Sequence, residues 1–326
     1  MRVLVTGGTG FIGSHLVEKL VTDNHKVVCL AKDEMFACSL QNENITTIIA
    51  DLNNGNDWEN ILDNIDIVYH LAGITRARKN RDYFTGNTEC TRNFVQACAR
   101  HGRKIRRFVY VSSLTAVGPS PNGEPVNEAT APHPVSEYGR SKILAEQAVL
   151  SCRDHLPVSI VRPSAVYGPR DQDMYKYFRL IVHGLHPVIG FRKKRLNLIH
   201  VDDLVAGIRL AGEHPRAEDE IFFLGSKDSY SNEEIGEAIA SAVHTRPLRV
   251  RIPHALVYFV GAVAEVFGKF SNHPVFFNIQ KARESVQHAW DCSIEKASLL
   301  LNFRPAMPLE QGMQSTYEWY LEHRWL

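Results

Sequence analysis

The sequence has no excess of either charge. Lys and Arg number 37 against 36 Asp and Glu, a formal net charge of +1. A surface built for polyanions leaves a basic surplus in the composition, so nothing global points to nucleic acid or to an acidic membrane surface as a partner. Long apolar runs are also missing. The longest, ALVYFVGAVAEVF (255–267), is too short to span a bilayer and contains Glu265. A core or interfacial helix is expected there, with core packing favoured. Cysteine is sparse. Cys29, Cys38, Cys90, Cys98, Cys152 and Cys292 never fall into C-x-x-C spacing, and the 15 histidines include no H-x-x-x-H. Neither zinc nor any other metal site is expected, and free thiols in a reducing compartment fit better than disulfides. After Met1 the chain runs at once into RVLVTGG, a strand and a turn rather than an apolar export signal. A cytoplasmic protein without an integral membrane segment is the expectation.

What is present is a rhythm. Short β-rich runs appear at 2–6, 26–31, 45–51, 66–73, 106–113 and 157–163. Stretches of helical spacing, such as SHLVEKLV and RNFVQACARHG, alternate with them, the second ending on a helix-stopping Gly102. The runs are apolar without clean alternation, which predicts strands buried on both faces. The fold class that follows is α/β, a doubly wound parallel sheet. Beyond about residue 164 the rhythm changes. A helix is expected at 175–184, another after LIHVDDL with Asp202 or Asp203 as its cap, and a capping box at Ser231 and Glu234. The expected division is a larger, doubly wound domain of 1–168 with 201–225, and a smaller mixed α/β lobe of 169–200 with 226–326.

TGGTGFIG places Gly7, Gly10 and Gly13 between the first strand and the first helix. Glycines there permit a tight turn and close approach to a pyrophosphate, while the helix N-terminus offers free N–H groups. The position, after a strand and before an amphipathic helix, is the context a dinucleotide fingerprint requires. An acidic residue ending the second strand would bind a ribose 2′-hydroxyl. Ala31 stands there, followed by Lys32. A missing carboxylate beside a cation suits a 2′-phosphate, so NADP(H) is favoured and NAD(H) is the alternative.

The G-x-x-G-x-x-G spacing resembles the short-chain dehydrogenase/reductase superfamily, and TGGTGFIGSHLVEKL is similar to its extended branch, the NAD-dependent epimerase/dehydratase family, with a Rossmann-type fold. The resemblance covers nearly the whole chain. It implies cofactor contacts from Gly7, Gly10, Phe11, Ile12 and Gly13. ADL (50–52) resembles the adenine contact, with Asp51 on the ring amino group and Leu52 beside it. HLAG (70–73) is similar to the segment under the ribose, bringing in Leu71, Ala72 and Gly73. NTECT (87–91) resembles an N-x-x-G-T motif in which Asn87 keeps its cofactor-proximal role and Cys90 replaces Gly. VRPSAVYGPR adds Pro163, and His200 falls at a structural position of the family. Dimerisation through two helices flanking the sheet is common in the family, so a homodimer is expected.

The stretch SEYGRSK holds Tyr138 and Lys142 one helical turn apart, and Ser113 ends the fifth strand. Such sheets carry their sites at the carboxyl ends of the strands. The resemblance assigns these three residues a Ser-Tyr-Lys catalytic triad. Tyr138 would exchange a proton with an alcohol or carbonyl. Lys142, with the nicotinium charge, would bring the phenol down from its ordinary pKa near 10 and hold the ribose hydroxyls. Ser113 would fix the reacting oxygen. Ser112 should face the other way. Tyr138 and Lys142 thereby also belong to the cofactor site.

The substrate is a small molecule, and an anionic one if two basic loops, ITRARKNRD (74–82) and FRKKR (191–195), receive it. Against a nucleotide sugar stand Ala165, where many sugar epimerases have Asn, and Leu196, where an Arg would grip the diphosphate. Arg195 is one residue off, which in a strand reverses its face. Lys32 with Ala31, and RPSAVYGPR, resemble the dihydroflavonol reductase and hydroxysteroid dehydrogenase branch. The expected function is hydride transfer between nicotinamide and a secondary alcohol or ketone. The alternatives are a nucleotide-sugar epimerase or dehydratase using the same first step, and a non-catalytic dinucleotide sensor.

Overall fold

In β1 (Arg2–Thr6), Val3 and Val5 join one buried cluster and Leu4 the other, and all three are fully enclosed. That double burial is why the strands read as continuous apolar runs. The computed structural model describes residues 1–32, 42–53, 57–268 and 277–326. Cys38 lies outside the described residues. After β1 come α1 (Phe11–Thr22), β2 (Lys26–Ala31), β3 (Ile45–Ile49), α2 (Trp58–Leu62) and β4 (Ile67–His70). Then follow α3 (Asn80–Tyr83), α4 (Cys90–His101), β5 (Arg107–Val111), α5 (Glu137–Leu150) and β6 (Val158–Pro163). The chain continues through β7 (Ala165–Tyr167), α6 (Gln172–Val182), β8 (Leu185–Ile189), β9 (Arg195–His200), α7 (Val201–Glu213) and β10 (Glu220–Leu224). Last are β11 (Ser229–Tyr230), α8 (Asn232–Ala242), β12 (Leu248–Ile252), α9 (His254–Gly268), α10 (Ile279–Ser285), β13 (Ala289–Trp290), α11 (Glu295–Leu301) and α12 (Leu309–Glu322).

Seven strands form one sheet in the order β10-β6-β5-β4-β1-β2-β3, and each pairing is parallel. The order reverses between β1 and β4, which opens a crevice at their carboxyl ends. Leu16, Val17 and Leu20 of α1 and Leu204, Val205 and Ile208 of α7 cover one face. Phe94, Val95 and Cys98 of α4 and Ala145 and Val149 of α5 cover the other. Each large side chain so buried stabilises the fold by roughly 1.5–3 kcal/mol. The edge strand β3 is half open, and its Ile49 is exposed.

After Ser164 the chain leaves the large sheet and returns to it with β10. β7 pairs with β9, which β11 and β13 flank, and β8 pairs with β12. Phe178 and Ile181 of α6, Ile235 and Ile239 of α8, and Met313 and Tyr320 of α12 make a third buried cluster. The expected capping box at Ser231 and Glu234 is present.

Three details differ from expectation. The cap of α7 is neither Asp202 nor Asp203. The chain turns into the helix earlier, His200 accepts from the Asp202 N–H, and both aspartates sit in the first turn where the helix dipole favours them. Asp203 is then free to accept from the Ala306 and Met307 N–H groups. Gly102 does end α4, but with φ −85 it needs no left-handed freedom. Space decides: a Cβ there would lie 2.2 Å from Ile105 Cδ1 and 2.6 Å from the Cys98 oxygen. The segment 255–267 is not core. It forms most of α9, where Val257 and Gly261 are buried and Leu256, Phe259, Val260, Val266 and Phe267 are exposed. The reason is that α9 sits outside the sheet layers and meets α10 along one narrow line.

Candidate active site

The glycine loop runs from the end of β1 into α1. Gly7 has φ +71, and a Cβ on it would lie 2.8 Å from the Ala72 nitrogen. Both the left-handed backbone and the contact with the segment after β4 therefore demand glycine. A Cβ on Gly13 would lie 2.0 Å from the Gly7 oxygen. The turn is thus folded onto the first residues of α1, and no side chain caps that helix N-terminus at Gly10. Backbone N–H groups and the positive end of the dipole are left facing the crevice, an arrangement that fits a pyrophosphate.

A cleft of about 990 Å³ opens here, in the size range of ligand sites. Its lining brings together Gly7, Gly10, Phe11, Ile12, Gly13, Leu71, Gly73, Asn87, Ser113, Tyr138, Lys142 and Pro163 from the sequence reading. Ala72 lies behind, its N–H bonded to Thr6 Oγ1 at 3.1 Å. Lys32 is exposed just past β2, and Asp51 is exposed just past β3, on the same edge of the sheet because Ala31 pairs with Ile49. Leu52 packs against the buried cluster on that side. These three and Ala72 are outside the cleft lining.

Ser113 follows β5 in extended conformation, and its Oγ accepts from Thr115 N–H at 3.2 Å and Thr115 Oγ1 at 2.8 Å. Ser136 caps α5, accepting from Gly139 N–H at 3.1 Å. A Cβ at Gly139 would lie 2.3 Å from the Thr115 oxygen. The glycine inside SEYGRSK therefore lets α5 dock on the loop that carries Ser113, and Tyr138 and Ser113 line the same cleft. The sequence reading passed over Gly139. Asn87 steadies the same corner. Its side chain bonds Ile74 N–H at 2.7 Å and Ser141 Oγ at 2.9 Å, and Ser141 donates to the Tyr138 carbonyl at 2.7 Å. Asn87 lies in a π-helical turn over Phe84–Glu89, a local irregularity frequent at functional sites. Cys90 begins α4 beneath it, buried, its thiol pushed up to about 12.

Lys142 is buried, and burial lowers its pKa to about 7, opposed first by the Glu146 carboxylate. Its Nζ donates to the Val111 carbonyl at 2.7 Å and lies 4.4 Å from the Tyr110 ring centroid. The expectation was that Lys142, together with the nicotinium charge, draws the Tyr138 phenol downward. Here the ammonium is turned to Val111, and burial, then the Glu284 carboxylate, push the phenol above its ordinary range, the Ser113 side chain opposing. Ser112 faces away as expected, its hydroxyl on Glu146 at 2.5 Å. Glu146 also binds Arg162 in two-pronged fashion, at 3.0 and 2.7 Å, both side chains buried. Glu146 and Glu284 are the two carboxylates sequence reasoning missed. The first had a signal: Tyr138, Lys142 and Glu146 stand at i, i+4 and i+8 on one helix face. Glu284 had none, because α10 arrives from far along the chain.

The two basic loops both reach the cleft, through Arg76 and through Lys194 and Arg195. Each cation is engaged: Arg76 with Asp173, Lys194 with the Ser285 carbonyl, and Arg195 with Asp291 at 3.3 Å. Arg195 lines the main cleft together with Leu196 and Ala165, and it also borders a second, polar cavity beyond β9. His200 packs against the Tyr167 ring as well as capping α7. Five cysteines among the described residues are buried and unbridged, and no helix among them is long and apolar enough to cross a membrane.

The glycine turn, the switch-point crevice and the Ser-Tyr-Lys corner all lie within residues 3–225, the stretch that matches the NAD dependent epimerase/dehydratase family. The chain belongs to that family. It is an enzyme of the extended short-chain dehydrogenase/reductase type, with nicotinamide-dependent hydride transfer as its chemistry. It is 27% identical to a ceramide reductase of Caulobacter vibrioides, over 99% of this chain and 96% of that one. It is 29% identical to a UDP-N-acetyl-alpha-D-glucosaminuronate decarboxylase of Bacillus cytotoxicus, over 98% of each. Its fold is that of UDP-glucuronic acid 4-epimerase from Bacillus cereus, solved with UDP-glucuronic acid and NAD, at a TM-score of 0.81, 24% identity and coverage of 99% and 100%.

Proposed function

We propose that the enzyme interconverts a ketone and a secondary alcohol on a largely apolar substrate, with NADP(H) the preferred cofactor. The observation that carries this reading is a Ser113–Tyr138–Lys142 corner opening on a cleft in which Arg76, Lys194 and Arg195 already hold protein partners. When bound, the nicotinamide supplies a hydride to a carbonyl carbon, or accepts one from the alcohol. Gly7, Gly10 and Gly13 with the start of α1 would hold its pyrophosphate, Lys32 its 2′-phosphate, Asp51 and Leu52 its adenine end, and Leu71, Ala72, Gly73, Asn87 and Pro163 the inner half. Lys142 as an ammonium would hold ribose hydroxyls. Ser113 orients the substrate oxygen, and Tyr138 gives that oxygen a proton in reduction and takes it back in oxidation. Burial raises the phenol in the chain alone, and Lys142 with the positive charge of the bound cofactor would have to bring it back down for efficient transfer.

The relative named a ceramide reductase supports net reduction. A nucleotide-sugar epimerase or dehydratase is the second reading, favoured by the decarboxylase relative. Ala165 and Leu196 in the cleft weigh against it. We further place the enzyme in the cytoplasm, dimerising through α4 and α5. The cofactor domain in this reading is 1–168 with 201–225, and the substrate lobe is the rest. Tyr138→Phe tests the central role: ketone-dependent NADPH oxidation should vanish while NADPH binding, read by its fluorescence, persists. Retained turnover refutes the assignment.

A further inference from the structure

α9 spans 15 residues and buries little of itself. Its inner line is Val257 and Gly261, and Gly261 allows close packing on Asn278 and Ala282 of α10. Its one charged side chain, Glu265, is spent on the N–H of Ile279 at 3.3 Å. The remaining surface is apolar and open: Leu256 is 47% exposed, Phe259 65%, Val260 48%, Val266 54% and Phe267 72%. Phe191, 68% exposed, follows Gly190, whose α-carbon faces the His254 ring at the start of α9.

Two features select the occupant. A helix of this length is about 22 Å long and 10 Å wide, so its open side offers only a few hundred Å². A stable dimer needs about 800 Å² from each partner. Leu256, Phe259, Val260, Val263, Val266 and Phe267 form a stripe at i, i+3, i+4, i+7, i+10 and i+11, and the open surface extends past it through Ala255, Tyr258 and Ala262. A partner protein covers a stripe at i, i+3, i+4 and i+7, whereas fluid acyl chains can envelop a convex helix. The rim is basic: Arg192 and Lys193 follow Phe191, and Arg249 and Arg251 lie on the strand leading into α9. Carboxylates offset most of this charge, Lys193 pairing with Glu234, Arg249 with Glu237 and Arg251 with Glu233, so the headgroup contribution is secondary to the apolar surface.

We propose that α9 is a peripheral docking helix that lies in the surface of a lipid bilayer and presents the cleft to amphiphilic substrates resident there. The support α9 rests on is the cleft wall itself. Gln280, Lys281, Glu284 and Ser285 of α10 line the cleft from the other side, and Ile189 and Lys194 flank Phe191 on the loop beside it. A substrate with a carbonyl near its polar end could thus enter without its acyl chain leaving apolar surroundings. This inference rests on the redox reading above, and its chemistry is unchanged: the carbonyl carbon receives a hydride, its oxygen the Tyr138 proton, and the cofactor leaves oxidised.

The test uses the full chain and vesicles of phosphatidylcholine containing a minority of phosphatidylglycerol. The wild type should float with the vesicles, with weak sensitivity to salt. The double variant Phe259→Ser, Phe267→Ser should partition about ten- to hundred-fold less, from the loss of two inserted rings. Its circular dichroism and NADPH binding should stay normal, since both side chains are exposed. Turnover of a water-soluble ketone should be unaffected, and turnover of a long-chain ketone in vesicles should fall. A wild type that stays with the aqueous fraction overturns the proposal. So does a variant that floats equally well, or one whose only change is loss of self-association in sedimentation, which would make a second copy the occupant. Flotation that depends on Phe259 and Phe267 supports docking even if no ketone is reduced, so failure of the redox reading is separately visible.

Discussion

Replacing Glu146 with Gln perturbs the site through two routes that can be measured apart. Glu146 and Arg162 form an enclosed ion pair with contacts of 3.0 and 2.7 Å, and Ser112 adds a third bond to the same carboxylate. Removing one partner of a buried pair costs about 3–5 kcal/mol, because the other charge is left without compensation. Gln keeps one acceptor for Arg162, so a loss near about 3 kcal/mol is expected, a large share of a typical total of about 5–15 kcal/mol. The second route is electrostatic. Glu146 is the largest influence holding Lys142 up against burial, which already lowers it to about 7. Without that carboxylate the lysine loses its proton at lower pH. If the charged form of Lys142 is the active one, activity is present below its pKa and is lost as pH rises through it. The alkaline limb of kcat/KM should therefore move to lower pH in the variant. Urea denaturation reads the first effect and the pH profile the second. A variant that loses stability while its alkaline limb stays in place would refute the claim that Glu146 sets the charge of Lys142.

Three further outcomes follow. Glu284→Gln removes the carboxylate that helps hold the Tyr138 phenol above its ordinary range. The phenolate then forms more easily, so the acid limb of alcohol oxidation should shift to lower pH; a shift upward would contradict the assignment. Gly13→Ala places a methyl 2.0 Å from the Gly7 oxygen. Overpacking of about 1–3 kcal/mol should weaken cofactor binding about ten- to hundred-fold by calorimetry, and unchanged affinity would mean the turn is not the pyrophosphate site. Ala31→Asp places a carboxylate beside Lys32, and the ratio of NADP to NAD affinity should fall; an unmoved ratio would sink the 2′-phosphate role of this edge.

The large sheet was legible because local signals carry it. Uninterrupted apolar runs mark strands buried on both sides, and the glycine turn sits where β1 meets α1. Tyr138 and Lys142 were legible from their helical spacing, and Ser113 from its place after β5. What escaped depended on contacts between distant segments. Gly139 is a helix residue by sequence, and only the Thr115 carbonyl against it explains why glycine is needed. Glu284 and the partners of Arg76 and Arg195 come from elements whose placement no periodicity encodes. Burial, which dominates the shifts of Tyr138 and Lys142 in the chain alone, is likewise a property of the assembled fold. α9 shows the converse. Its composition matches a core helix, but it lies outside both sheet layers, so hydrophobicity alone could not tell enclosure from exposure.

The measurement that bears most directly on the proposed reaction is calorimetric titration of UDP into the enzyme saturated with NADP⁺. Leu196 lines the cleft, and the cations beside it are engaged, Lys194 with the Ser285 carbonyl and Arg195 with Asp291. The account predicts no saturable heat. Saturable binding of UDP would contradict it and establish the substrate lobe as a nucleotide site.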